Sequence, residues 1–341
     1  MANHLIQHSK PCIDESDLQA VTSVLRSNFI ASGELARSLV HEVSTMCGVA
    51  GGISQPSGTA ALLLALRTLN VGVGDEVVVP TYVCRSVMDA VLATGAVPRF
   101  ADVSEAGLLT VSTAQKVFTT RTKALIAVHL FGAACDIEGL KSLGQPVIED
   151  ACQAVGLRVD GRMAGSIGDV GVLSFHATKV MTTGEGGMLL SSSETLVERA
   201  RAIANHSQSS VTPLADLQAA LGLSQLRRLE SMLYRRVEIA DSYDEVVDGK
   251  SVAEVPQNRS NCVFRYILRV PSGFASAETH FLAHGVCVRK GVDTLLHRLA
   301  GETDARYPNA SRLFTTNVSI PIYPALTDSE VDRIMQALRS M

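Results

Sequence analysis

No stretch of the sequence approaches the roughly 18 consecutive apolar residues that a membrane span needs. The first ten residues, Met1 to Lys10, carry polar side chains and two histidines where a secretory leader would place an apolar stretch. A cytoplasmic protein with no membrane partner is the expectation. Basic charge is not in excess either: 30 Lys and Arg face 34 Asp and Glu, for a net charge of −4. Nucleic acid, whose phosphates call for clustered Lys and Arg, is therefore not expected as a partner.

Cysteine pairing is also missing. Cys12, Cys47, Cys84, Cys135, Cys152, Cys262 and Cys287 are odd in number, widely spaced and without a CxxC pair. That excludes a disulfide framework and a zinc knuckle, and leaves free thiols packed as small hydrophobes. His280 and His284 are the one i,i+4 histidine pair that could share a helix face, with no third ligand and no zincin glutamate, so no metal is expected.

What is present is apolar mass: 341 residues, 46% hydrophobic and 19% charged, with mean hydropathy +0.20. Such a chain can fill a sizeable core, and its length suits about two domains. Leu18, Val21, Val24 and Leu25 form a helical stripe over 14–26, with Asp14 or Ser16 as its cap. An alternation follows: helix 60–69, glycine-rich turn 71–75, strand 76–79, helix 86–94, strand 96–100, and a helix near 112–119. Short apolar runs at 124–128, 147–148 and 170–175 continue it. The pattern predicts an α/β domain with a mainly parallel sheet covered on both faces. Residues 194–243 read as helical throughout. Beyond Asp248, a strand at 262–270, a helix at 277–284, a strand at 286–289 and a helix at 328–338 predict a smaller C-terminal α+β domain. The expected division is 1–240 and 241–341.

Three segments can carry chemistry. Ser57, Gly58 and Thr59 precede the helix of 60–69, where hydroxyls and free amides make an anion site without a lysine; read alone, they are an ordinary helix cap. Neither GxxxxGK[ST] nor a strand followed by GxGxxG is present, so this is not an ATP or NAD site of the familiar kinds. At 147–153 an apolar strand ends in Glu149 and Asp150, at the strand end where open α/β sheets bind ligands. An inward carboxylate there wants a positive partner, such as a protonated ring nitrogen. From 173 to 187 a strand runs into Ser174, His176, Thr178 and Lys179, then a glycine-rich turn. A desolvated lysine in such a setting can serve as a Schiff-base amine. Anion cradle, strand-end acid and lysine occur in that order within one domain, and pyridoxal 5′-phosphate (PLP) needs all three.

On these residues the chain resembles the DegT/DnrJ/EryC1/StrS sugar aminotransferases. The matching stretches are SGTAALLLAL, GVGDEVVVPTYV, GAVPRFADV, VHLFG, VIEDACQAVG, GSIGDVGVLSFHATKVMTTGEGGMLL, DLQAALGLSQLRRL and SIPIYPALTDSEVDRI, in family order from about Pro11 to the end. The resemblance implies the type I fold of PLP enzymes and a homodimer with sites at the subunit boundary. It implies that Lys179 joins the cofactor and shuttles a proton, and that Asp150 holds the pyridine nitrogen protonated. Gln153 would lie near the ring hydroxyl, while Gly58, Thr59, Ser174 and Ser57 would hold the phosphate. Tyr82 would stack on the ring, and His176 is assigned a structural place. One departure stands out: the family's Asn-Tyr-Arg-Met segment is replaced by Val211-Thr212-Pro213-Leu214. Asn205, His206, Ser207, Ser209 and Ser210 are candidates to substitute for it.

The implied reaction is ping-pong transamination from glutamate or glutamine, through pyridoxamine phosphate, to a keto sugar, which the resemblance implies is nucleotide-linked. Arg289, Lys290, His297 and Arg298 are candidates for its diphosphate or for the donor carboxylate; a solvated basic turn is the competing reading. A keto-cyclitol or other natural-product ketone is an alternative acceptor, and a non-catalytic PLP-binding regulator an alternative function. A dehydratase of the same family would carry His in place of Lys179.

Overall fold

A computed structural model describes residues 5–206, 213–248, 253–254 and 261–341. Its large sheet has seven strands: β1 (Gly51–Gln55), β2 (Glu76–Pro80), β3 (Val97–Ala101), β4 (Thr122–Val128), β5 (Val147–Asp150), β8 (Val170–Ser174) and β9 (Gly187–Ser191). A small hairpin, β6 (Arg158–Val159) and β7 (Arg162–Met163), lies outside it. The spatial order is β1-β9-β8-β5-β4-β2-β3. Pairs among β3, β2, β4, β5 and β8 are parallel, and β9 joins β8 and β1 antiparallel. Strands β2, β5, β8 and β9 are buried along their whole length, which is why their apolar residues run without the alternation of a half-exposed strand.

Helix ends follow local chemistry. Asp14 caps the helix Glu15–Ser27 in a reciprocal box with Asp17, and Asn28 ends it in the left-handed region at φ 64°. Ser57 caps Gly58–Thr68 by accepting from the Ala60 N–H. The helix Glu34–Cys47, which the sequence reading did not include, has Gly33 at its N-cap. Asp216 supplies the missing acceptor, taking the N–H groups of Gly33 and Ala36. The stretch expected to be helical throughout contains three helices, Glu194–His206, Asp216–Arg227 and Leu229–Val247.

Strands β10 (Ala253–Glu254), β11 (Tyr266–Arg269), β12 (Arg289–Lys290) and β13 (Asn317–Ile320) form an antiparallel sheet in the order β10-β11-β13-β12. The strand expected at 262–270 is shorter: it begins at Tyr266, because residues 262–265 dock on the large sheet instead. Phe264 and Arg265 donate their amides to the Phe131 carbonyl. The helix Leu229–Val247 crosses position 240 without interruption. Its Leu229, Met232 and Leu233 pack in the core under the large sheet, and its Ile239, Ala240 and Tyr243 in the small one. Ile6 belongs to the small core as well, through a parallel bridge to Val286.

Candidate functional site

The carboxyl ends of β2, β4, β5 and β8 lie side by side; β5 and β8 lead into the second and third segments picked out above, and the first follows β1. The hairpin of β8 and β9 closes the group. Its residue Gly187 passes so close to the helix Gly58–Thr68 that an added Cβ would sit 2.5 Å from the Ser57 carbonyl. At Gly58 an added Cβ would meet the Ser174 Cβ at 2.9 Å and the Cys152 sulfur at 3.0 Å. The first, second and third segments therefore converge on one helix N-terminus, with a backbone approach that only glycine permits.

Glu149 and Asp150 point to opposite faces of β5. Glu149 is fully buried and saturated: it pairs with His129 Nε2 at 2.8 Å and accepts the amides of Gly165, Ile167 and Gly168. Burial pushes its pKa up, but the His129 bond and those amides outweigh it, and the net shift is downward. Its work is structural. Asp150, 2% exposed, accepts from the Cys152 amide at 3.0 Å and has no cation partner among the described residues. Lys179 is equally without an ion pair; its ammonium lies 5.2 Å from the centre of the Phe264 ring.

Two thiols show that these groups share a small volume. Burial raises the pKa of Cys152 well above its ordinary value and that of Cys84 less; the Asp150 carboxylate adds to both shifts and the Lys179 ammonium opposes them. Cys84 nevertheless keeps an exposed surface. A side chain surrounded by protein yet accessible lines a concave wall.

Gln153 is held by its side-chain oxygen, which accepts from the Phe131 amide at 2.9 Å. Phe131 is in the left-handed region at φ 61°, an unusual conformation for an aromatic residue, and Gly132 follows at φ 94°. A Cβ at Gly132 would lie within 2.1 Å of the Cys262 carbonyl, so this turn clamps residues 262–265 against the sheet. His176 bonds Thr178 and approaches Glu185 at 3.5 Å, holding the turn around Lys179. Ser57 is spent on its cap.

Four expected residues fall elsewhere. Tyr82 is fully buried, its hydroxyl bonded to Asn317 and its ring edge-on to Phe131, and it has no open face on which a cofactor could stack; Cys84, two residues later, is exposed. His297 is fully buried between Thr81 and Asp304 and stacks on Tyr307. Arg298 forms a two-pronged pair with Asp304. Lys290 lies 4.2 Å over the Phe314 ring. These last three are each engaged by neighbouring side chains, His297 tying its helix to Thr81 at the end of β2. Of that group, Arg289 and Lys290 make no ion pair among the described residues, and Lys290 is engaged by the Phe274 and Phe314 rings. Arg265, which the sequence reading missed, has taken their place beside the site. Of the candidates to substitute for the absent segment, Ser207, Ser209, Ser210 and the side chain of His206 lie outside the described residues, as do Val211 and Thr212 of the stretch that replaces it.

The model of the DegT/DnrJ/EryC1/StrS aminotransferase family matches residues 11–339. The chain belongs to that family. Among its relatives, the spore coat polysaccharide biosynthesis protein SpsC of Bacillus subtilis is 31% identical, over 99% of this chain and 97% of its own. A UDP-N-acetyl-3-dehydro-alpha-D-glucosamine 3-aminotransferase of Acidithiobacillus ferrooxidans is also 31% identical, over 97% and 95%. Spr1654 of Streptococcus pneumoniae, solved in PLP and PMP forms, is 27% identical. In its PLP form it superimposes with a TM-score of 0.91, over 99% of this chain and 98% of its own. No helix among the described residues is long and apolar enough to cross a membrane.

Proposed function

We propose that the chain is a PLP-dependent aminotransferase that moves an amino group from glutamate or glutamine to a nucleotide-linked keto sugar. The observation that carries this reading is a pair of unmatched charges. Asp150 is a buried carboxylate without a cation and Lys179 a half-buried ammonium without an anion among the described residues, and both act on the thiols of Cys84 and Cys152, the latter beside Gly58 and Ser174. A group with a protonatable ring nitrogen, an aldehyde and a phosphate fits that donor set, and the family relatives in PLP and PMP forms support it. The Acidithiobacillus relative, named for a UDP-linked keto sugar, supports the acceptor.

When bound, PLP supplies an aldehyde that captures amines and a ring that accepts the electron pair of a deprotonated carbon. Asp150 would keep a proton on the ring nitrogen, a buried charge pair worth far more there than in water. Lys179 Nζ would provide the covalent attachment and then carry the proton to and from the reacting carbon. The Gly58 and Thr59 amides and the Ser174 hydroxyl would hold the phosphate at the helix N-terminus. Ser57 would act through its cap, which keeps those amides in place, and Gln153 would stand near the ring, anchored by Phe131. We read the assembly as a homodimer, supported by the exposed apolar side chains Leu18, Leu25, Phe29 and Ile30.

Borohydride reduction of the PLP-loaded protein, followed by peptide mass mapping, tests the reading. The expected result is one pyridoxyl adduct, at Lys179, absent from Lys179→Ala and from protein first treated with glutamate. An intact protein with Lys179 unlabelled overturns it.

A further inference from the structure

The ammonium of Lys179 sits over an aromatic ring rather than against a carboxylate. Asp150 is near enough to act on the same two thiols, Cys84 and Cys152, yet no ion pair joins the two charges. His176 and Thr178, in the same turn, bond each other. Among the described residues the one polar or aromatic partner of the ammonium is the Phe264 ring, with Nζ 5.2 Å from its centre.

That ring is fixed from behind. Phe264 is buried in the core under the large sheet, together with Phe175 and Val180 of the lysine turn. Its amide donates to the Phe131 carbonyl at 3.1 Å, and the absence of a side chain at Gly132 admits it, since a Cβ there would lie 3.1 Å from the Phe264 nitrogen. Arg265 approaches the same ring, its guanidinium 5.8 Å from the centre, but it is tied to the carbonyls of Lys290 and Gly291. Lys179, on a flexible four-carbon stem and without such a tie, is the movable member.

The face of a phenyl ring is the negative side of its quadrupole, and it attracts an ammonium within about 6 Å of the ring centre. A lysine paired with the buried Asp150 would be held harder, and would occupy the carboxylate that a protonated ring nitrogen needs. We propose that Phe264 is a positioning residue for Lys179: its ring holds the ammonium off Asp150 while that amine is not joined to the cofactor, and lets it go when it is. The role is one of charge on the ring face, not of bulk. The inference rests on reading Lys179 as the amine that joins PLP.

Fluorination of the ring tests it, because each fluorine drains negative charge from the face and barely changes the size. Phenylalanine carrying one, two or three fluorines is placed at position 264, and the cofactor-free protein is titrated with PLP and with pyridoxamine phosphate, which has no aldehyde to join. Joining PLP takes the lysine off the ring, whereas pyridoxamine phosphate leaves it there. The ratio of PLP to pyridoxamine phosphate affinity should therefore rise stepwise with fluorine number, reaching roughly threefold to tenfold with three. Phe264→Leu should raise it at least as far. A ratio that stays flat or falls along the series overturns the proposal, and so does a rise in Phe264→Leu alone, which marks the ring as packing. Borohydride labelling of the PLP-loaded wild type is scored alongside. A label at Lys179 with a flat ratio is the failure of the ring's role, whereas no label is the failure of the functional reading.

Discussion

His8 and Glu149 are both buried ionisable groups, and the fold deals with them in opposite ways. Glu149 is kept charged by His129 and three amides, so its pKa lies below the ordinary 4.5. Its contribution to stability is present above that value and is lost as pH falls through the folded one. His8 is kept neutral: burial pushes it down to about 3, with Arg265 and Arg289 adding to the effect. Below pH 6.5 the unfolded chain binds a proton at His8 that the folded chain refuses. Stability from this residue is therefore complete above about 6.5 and declines as pH falls toward 3, by up to about 1.4 kcal/mol per pH unit. The two windows separate between pH 5 and 6.5, where His8 acts alone of the pair. Urea midpoints measured from pH 7 to 5 should fall in the wild type and fall less steeply in His8→Asn, which retains a polar contact for Ser319. Parallel profiles for the two proteins would show that His8 is not the titrating group.

At the scale of elements, the strand-to-helix turns were the readable part of the site. Apolar runs ending in Ser, Asp or Gly marked the carboxyl ends of β5 and β8 and the N-terminus of Gly58–Thr68, because strand burial and helix capping are local properties. Which side chain of a turn faces the cavity is not local. In the turn after β2, Tyr82 is taken by Asn317 from β13, 235 residues later, and Cys84 is the residue left exposed, within electrostatic reach of Asp150 and Lys179. The seat of Lys179 was invisible for the same reason: Phe264 meets the lysine turn only when residues 262–265 dock on the Phe131–Gly132 turn. The turn at Gly58 makes a direct prediction. Its backbone is helical, so alanine is conformationally acceptable, but the Cβ would strike Ser174 and Cys152 at 2.9 and 3.0 Å. Overpacking should cost about 1–3 kcal/mol in stability. Moving the amides a few tenths of an ångström should weaken PLP about tenfold or more, read by absorbance titration. Wild-type PLP affinity in Gly58→Ala would take the phosphate away from this turn.

At the scale of the whole molecule, the helix Leu229–Val247 packs in both cores, so the two sheets have no independent boundary at position 240. A substitution in either core is felt in the other through that helix. The opposite side of the large domain is less complete. The helix Glu15–Ser27 buries Asp17 and Val24, yet leaves Leu18 and Leu25 more than half exposed, and Phe29 follows at 82% and Ile30 at 50%. Four large apolar side chains within thirteen residues are too many for a solvated helix end and suit a surface that a second copy covers. Asp17 is meanwhile fixed by Arg228 and Gln225, so the helix is rigidly presented. Leu25→Glu with Phe29→Glu places like charges across a two-fold interface without touching a buried position. Sedimentation velocity should show a dimer in the wild type and a monomer in the double variant, with an unchanged circular dichroism spectrum. A wild-type monomer at micromolar concentration, or a double variant that stays dimeric, would move the subunit contact off this face.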